Sequence, residues 1–352
     1  MALSVFFLLL LCTRCPAGVF FRQNNNTTMD ILSTIQAPIK EHFEAFKEFY
    51  GAQFKSDIKL LDSALMNVAG SKGKMMRPML LLLAARSVGE IGTASYAAAT
   101  SLELLHTASL LHDDVVDDSD ERRGSPALRS IYGNRVAILT GDYLFSLALN
   151  SAALTKNVEI VEQLAMLGCA LSSGEIVQLQ TQRYGSYDEE NYYNIIKGKT
   201  ASLFASCAYI GALSAGASHE KALRFREIGE LIGICFQIKD DIFDYFTDDI
   251  GKPTGSDMRE GKVTLPALYV LRTSECERLK AMNEKLQSGA VLDEDEIEYL
   301  IEQSKACGGI DYALAKIGEL RSKALSLLGS DIPADCRDAF VAYIDYVINR
   351  TK

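Results

Sequence analysis

Apolar residues recur every three to four positions along most of the chain, and the strict alternation that marks a half-buried strand is missing. Over residues 31–54, Ile35, Ile39, Phe43, Phe46 and Tyr50 fall at helical spacing, which predicts a surface-packed helix, and 56–68 predicts another. Gly70-Ser-Lys-Gly-Lys74 interrupts the pattern as a basic loop. Arg77-Pro78 then opens a helix through 87, with proline near the first turn, where its missing N–H costs nothing. From about Tyr96 an Ala- and Leu-rich run without Gly or Pro predicts a long buried helix ending in Asp113, Asp114, Asp117 and Asp118. Residues 122–126 read as loop, and helices are predicted over 135–154, 158–183, 187–215 and 219–246. A Gly- and Lys-containing loop spans 251–262, helix resumes over 264–271, and three or four further helices finish the chain. No proline falls between Pro126 and Pro253, and no repeat or linker divides the sequence. The expectation is an all-α, single-domain helical bundle.

Composition changes this picture little. The chain has 352 residues, 48% of them apolar and 23% charged, which suits a soluble domain with a sizeable core. A net charge of −10 without a basic stripe argues against nucleic acid as a partner. The eight cysteines (12, 15, 169, 207, 235, 276, 307 and 336) lack metal-ligand spacing and read as buried thiols in a reducing cytoplasm. Residues 2–12 are hydrophobic but too short to span a bilayer, and no positive residues precede them. The preferred reading is an N-terminal extension over 1–28 with Met29 as the working start, and an export signal as the alternative; the domain then covers 29–352.

The acidic helix ends carry the chemistry. Asp113 and Asp117 are four apart and share one face. Carboxylates at a helix C-terminus oppose the macrodipole by roughly 0.3–1 kcal/mol each. Like charges at that spacing add a few tenths more. Such an accumulation predicts a cation. The arrangement recurs at Asp240, Asp241 and Asp244, and two such clusters face to face would hold several divalent ions. All-oxygen ligands favour magnesium, which keeps water and shares substrate phosphates. A calcium loop of the EF-hand kind is excluded, because Asp113–Gly124 lacks Gly at its sixth position and Glu at its twelfth. Lys74, Arg77, Arg122, Arg123, Lys199, Lys252 and Lys262 lie in or beside loops near these clusters, the setting a diphosphate requires.

Asp113-Asp-Val-Val-Asp117 with Arg122-Arg-Gly124, Gly73-Lys-Met-Met-Arg-Pro78 upstream and Gln237-Ile-Lys-Asp-Asp-Ile-Phe-Asp244 downstream together resemble the trans-type polyprenyl diphosphate synthases, over essentially 29–352. The resemblance implies a helical bundle of the isoprenoid-synthase type around a central cavity. It implies that Lys74, Arg77, His106 and Arg123 bind isopentenyl diphosphate, and that Arg122, Lys199, Thr200, Gln237, Lys252 and Lys262 surround the allylic diphosphate. Asp113, Asp117 and Asp240 would be magnesium ligands, for roughly three ions per site, with Asp114, Asp241 and Asp244 as supporting acids. The family loop carries two glycines before its lysine, whereas Ser71-Lys72-Gly73 leaves one here. The resemblance also suggests a cytoplasmic homodimer without stable membrane insertion and with transient membrane contact for release of an insoluble product.

Product length follows from a steric ruler along the first acid-bearing helix. One turn rises about 5.4 Å, close to one isoprene unit. Ala108 and Ser109, with Leu105 one turn further, are not aromatic, whereas short-chain members carry an aromatic residue at that place. A long product, about C30 to C40 with octaprenyl as the best single value, is expected. A geranylgeranyl-type synthase differs only in this tunnel. A terpene cyclase would lack the isopentenyl pocket, and a non-catalytic partner subunit would be expected to have lost acids from one cluster; neither departure is present.

Overall fold

The structure, a computed structural model, describes residues 25–70, 73–122, 124–246 and 254–350, with side chains from Ile31 onward. It begins with α1 (Asn25–Gln36), α2 (Lys40–Gly51), α3 (Lys59–Gly70) and α4 (Met76–Arg86). After α5 (Thr93–Val116), a two-residue antiparallel ribbon pairs β1 (Glu121–Arg122) with β2 (Ser125–Pro126). Then come α6 (Leu128–Tyr132), α7 (Asn134–Leu154), α8 (Val158–Tyr184), α9 (Glu189–Ile196), α10 (Ser202–Ser214) and α11 (His219–Phe243). The chain closes with α12 (Ser256–Arg259), α13 (Leu265–Thr273), α14 (Glu277–Gln287), α15 (Glu294–Ala306), α16 (Gly309–Ser326) and α17 (Ala334–Asn349).

The helical pattern is broken where local chemistry demands it. The run expected over 31–54 splits at a 3-10 turn, Ala37–Ile39, because Pro38 has no N–H for an α-helical bond. The helix expected over 187–215 contains a wide π-type turn, Lys197–Ala201, between α9 and α10. The loop expected over 122–126 contains the small ribbon. α1 starts at Asn25, four residues before the domain boundary expected at Met29, and residues 1–24 of the proposed extension lie outside the described residues. Side-chain caps fix several starts: Asn157 for α8, Asp188 for α9, Ser218 for α11, and a reciprocal Asp293–Glu296 box for α15. Each cap is worth about 1 kcal/mol.

Two hydrophobic clusters form the core. The larger gathers α2, α4, α5, α10, much of α7, the first half of α11 and α17. α4 lies at its centre, with every residue from Pro78 to Ala85 buried. Burial of each of its leucines stabilises by about 1.5–3 kcal/mol. The smaller cluster joins α9, the second half of α11 and α13 to α16. α11 therefore passes through both clusters, and its acidic end lies in the smaller one. Of the six described cysteines, Cys207, Cys235 and Cys336 are buried, while Cys169, Cys276 and Cys307 are exposed, so the expectation of buried thiols holds for only half of them.

α7 and α8 expose an apolar face carrying Leu139, Leu149 and Leu154 on one helix and Val158, Met166 and Ile176 on the other. Both helices are long and apolar enough to cross a membrane by length and composition alone.

Candidate functional site

At the end of α5 the acids divide into separate tasks. Asp114 is nearly fully buried and turns to Arg122, whose Nε lies 2.6 Å from its Oδ1. Asp118 adopts a left-handed backbone (φ +51°) and stops the helix, and Arg129 holds both Asp118 and Asp120, at 2.8 and 3.3 Å. Asp113 faces another way. Burial pushes its carboxyl up to about 6, with the Lys199 ammonium opposing that rise and Glu175 and Asp117 adding to it. Asp117 caps the helix and is exposed.

The end of α11 is more enclosed. Asp240 accepts from Arg350 Nη2 at 2.6 Å, and burial still raises its pKa. Asp241 is buried and accepts from the Tyr192 hydroxyl at 2.6 Å and Gln237 Nε2 at 2.7 Å, yet burial and the nearby Asp257 push it up to about 8. Asp244 accepts from the backbone N–H groups of Ser256 and Asp257 at 3.0 and 3.1 Å, anchoring the start of α12. Burial and the neighbouring Asp244 bring Asp257 up to about 6.

Two bridges connect these ends. Gly174 on α8 lets the π-type turn approach closely, since a Cβ there would lie 2.9 Å from the Lys199 backbone nitrogen. Lys199 consequently pairs with Glu175 and reaches Gln178, within the field of Asp113. Next to it, the Thr200 hydroxyl donates to Gln237 Oε1 at 2.7 Å, and Gln237 donates onward to Asp241. The second bridge is Lys262, which pairs with Glu260. Burial works against its charge, but Glu260, Asp257 and Asp117 outweigh that and hold its pKa up. Lys262 thus feels Asp117 of the first cluster and Asp257, a neighbour of the second.

A cavity of about 190 Å³ is lined by Lys199, Thr200, Gln237, Asp241, Asp257 and Lys262. A larger one, about 900 Å³, is lined by Met75, His106, Asp114 and Arg122 among others. Met75 has a left-handed backbone (φ +48°) at the start of α4 and separates Lys74, over the Tyr346 ring at 5.4 Å, from Arg77, over the Phe204 ring at 5.3 Å. Arg77 Nε is buried without a hydrogen-bond partner among the described residues, a donor suited to an incoming anion. Ala108 and Leu105 are buried in the larger core cluster, and the half-buried Ser109 bonds to the His106 carbonyl at 2.9 Å; none of the three lines either cavity. Arg123 and Lys252 fall outside the described residues.

The donor chemistry fits a hard divalent cation, because the side chains at both helix ends are carboxylates and burial holds several of them above the usual carboxylate range. Among the described residues no three acids, histidines or cysteines are gathered closely enough to hold an ion by themselves. A cation here would complete its shell with water and substrate oxygens, as magnesium commonly does.

Residues 58–304 match the Polyprenyl synthetase family. The chain belongs to that family. It is a prenyltransferase. The synthase is 31% identical to the octaprenyl diphosphate synthase of Escherichia coli over 302 residues, covering 85% of this chain and 93% of that protein. Among solved structures, the geranylgeranyl pyrophosphate synthase from Bacteroides thetaiotaomicron shares 44% identity at a TM-score of 0.78, over 91% of this chain and all of that one. A polyprenyl synthase from Caulobacter crescentus, crystallised with calcium and isoprenyl diphosphate, shares 30% identity at a TM-score of 0.82, over 91% and 98% of the two chains.

Several participants carry no signal in the sequence pattern. Glu175 and Gln178 stand out only as polar positions on an otherwise apolar helix. Tyr192, Asp257, Arg129 and Arg350 belong to no motif, and the partners of Tyr192 and Arg350 lie far away in sequence.

Proposed function

We propose that this synthase condenses an allylic diphosphate with successive isopentenyl diphosphates and releases a long all-trans polyprenyl diphosphate, about C30 to C40 at one isoprene unit per helical turn. The observation that carries the reading is one cavity lined both by Lys199, within the field of Asp113 at the end of α5, and by Thr200, whose hydroxyl leads through Gln237 to Asp241 at the end of α11. Asp113, Asp117 and Asp240 would hold magnesium, roughly three ions per site, with Asp114, Asp241 and Asp244 supporting. Bound metal would draw the charge of the allylic diphosphate and make it a better leaving group.

The chain's own residues do the rest. Lys199 and Lys262, joined by Arg122, Thr200, Gln237 and Lys252, orient the allylic diphosphate, while Lys74, Arg77, His106 and Arg123 seat isopentenyl diphosphate. The allylic C–O bond breaks, the isopentenyl alkene attacks the allylic carbon, and the proton lost from the new cation passes to the departing diphosphate. Side chains such as Leu110 and Leu111, which line the larger cavity, exclude water that would otherwise quench the cation.

The likeness to the octaprenyl synthase supports a long product; the non-aromatic Ala108 and Ser109 agree with it in sequence, although neither lines the two cavities described. A geranylgeranyl product is the second reading, favoured by the 44% identity to a synthase of that name. Incubating the protein with farnesyl diphosphate, labelled isopentenyl diphosphate and magnesium, then sizing the products, separates the two. Products of about C30 to C40 support the proposal and a geranylgeranyl product removes the long-chain reading; a product that shortens in Ala108→Phe supports the ruler on α5, and an unchanged length in that variant removes the ruler alone.

The exposed face of α7 and α8 supports a homodimer, since covering it removes several large apolar side chains from water. The same account places the protein in the cytoplasm, with transient membrane contact when the insoluble product leaves.

A further inference from the structure

His112 precedes the first acid of the α5 cluster but turns toward the neighbouring α7. Its Nε2 lies 3.2 Å from the Ile138 carbonyl oxygen and 3.3 Å from Asp142 Oδ1. A carbonyl oxygen can only accept, so Nε2 carries the hydrogen and donates to Ile138, with the Asp142 carboxylate beside it at ion-pair distance. The ring occupies the space opened by Gly141, where an added Cβ would come within 2.4 Å of His112 Nε2 and 2.7 Å of its Cδ2. Adjacent residues project about 100° apart around a helix, so fixing the direction of His112 also fixes the direction of Asp113.

We propose that His112 is a positioning residue, docked in the Gly141 notch of α7 so that the last turn of α5 presents Asp113 and Asp117 in the geometry that a metal-bound diphosphate needs. This inference rests on the proposed role of those aspartates. The clamp works through orientation: the ring is half-exposed and touches no reacting atom. Loss of it would let the last turn rotate where Asp117 already ends the helix and Asp118 leaves it in a left-handed conformation. Misplacing a binding group by about 1 Å is enough for losses of tenfold or more.

The test uses the full-length protein and reads binding of Mn2+ with inorganic diphosphate by calorimetry, beside turnover with magnesium. His112→Ala should weaken that binding by about tenfold and raise the magnesium needed for half-maximal rate by a similar factor, with the KM for isopentenyl diphosphate unchanged. His112→Gln can place an amide N–H near the position of Nε2, and should restore binding to within about threefold of the native protein. Gly141→Ala should reproduce the alanine defect with His112 intact. Native-like Mn2+–diphosphate affinity in folded His112→Ala or Gly141→Ala would overturn the inference, even if thermal stability fell. If the native protein itself bound no Mn2+–diphosphate, the broader functional reading would fail instead. Asp113→Asn, measured in parallel, should lose more affinity than His112→Ala; equal native-like binding in both would likewise reject the metal role and the positioning role together.

Discussion

At the residue scale, the site is built from carboxylates that burial makes reluctant to ionise. Asp113 and Asp257 are pushed up to about 6 and Asp241 to about 8, each chiefly by burial. Since an unfolded aspartate titrates near 3.8, the metal-free native state binds more protons than the unfolded chain between about pH 4 and 8. These groups therefore stabilise the fold most at low pH and lose that contribution as pH rises through their folded values. Metal requires the ionised form, so its binding should tighten over the same interval. Thermal shifts recorded from pH 5 to 8 should show that the stabilisation added by magnesium and diphosphate grows with pH; a gain that shrinks would contradict the assignment. The paired acids were legible in the sequence because their spacing is local. Their division of labour was not: Asp114 serves Arg122, and Asp118 and Asp120 serve Arg129, through contacts made by the folded chain.

At the scale of elements, the positions of α5, α8 and α11 decide which side chains meet. Helical periodicity was sufficient to place those three helices, because long apolar faces repeat over many turns. The π-type turn at Lys197–Ala201 was not visible in that periodicity, since the surrounding residues continue an apolar helical pattern. Its geometry depends on contact with α8, where Gly174 leaves room for the Lys199 backbone. Gly174→Ala should push the turn away at a cost of about 1–3 kcal/mol. The KM for the allylic diphosphate should rise several-fold while that for isopentenyl diphosphate stays near its native value. Steady-state kinetics with each substrate varied in turn checks this, and equal changes in both constants would argue against Lys199 acting on the allylic side.

At the scale of the whole molecule, the two core clusters share α11, one cavity is lined by Asp241 from its acidic end, and the other by Asp114 from that of α5. The outer apolar face of α7 and α8 needs a cover, and a second copy is the proposed one. Ile176→Glu, at a position 62% exposed in the single chain, should shift sedimentation from dimer toward monomer without unfolding the subunit. A native protein that sediments as a monomer and binds lipid vesicles through this face would assign the cover to membrane instead. All-α architecture could be read from pattern alone; the exposed face could not, because apolar spacing does not distinguish a residue covered by its own chain from one covered by a partner.

The central claim is that both acidic clusters hold one metal-bound diphosphate, and a double-mutant cycle addresses it directly. Calorimetric affinity for Mn2+ with inorganic diphosphate is measured for the native protein, Asp113→Asn, Asp240→Asn and the double variant. A shared ligand predicts that each single change weakens binding and that their effects couple, by about 0.5–3 kcal/mol in the cycle. Losses that add to within about 0.5 kcal/mol, or a single variant that binds like the native protein, would mean that the two clusters do not hold a common ligand.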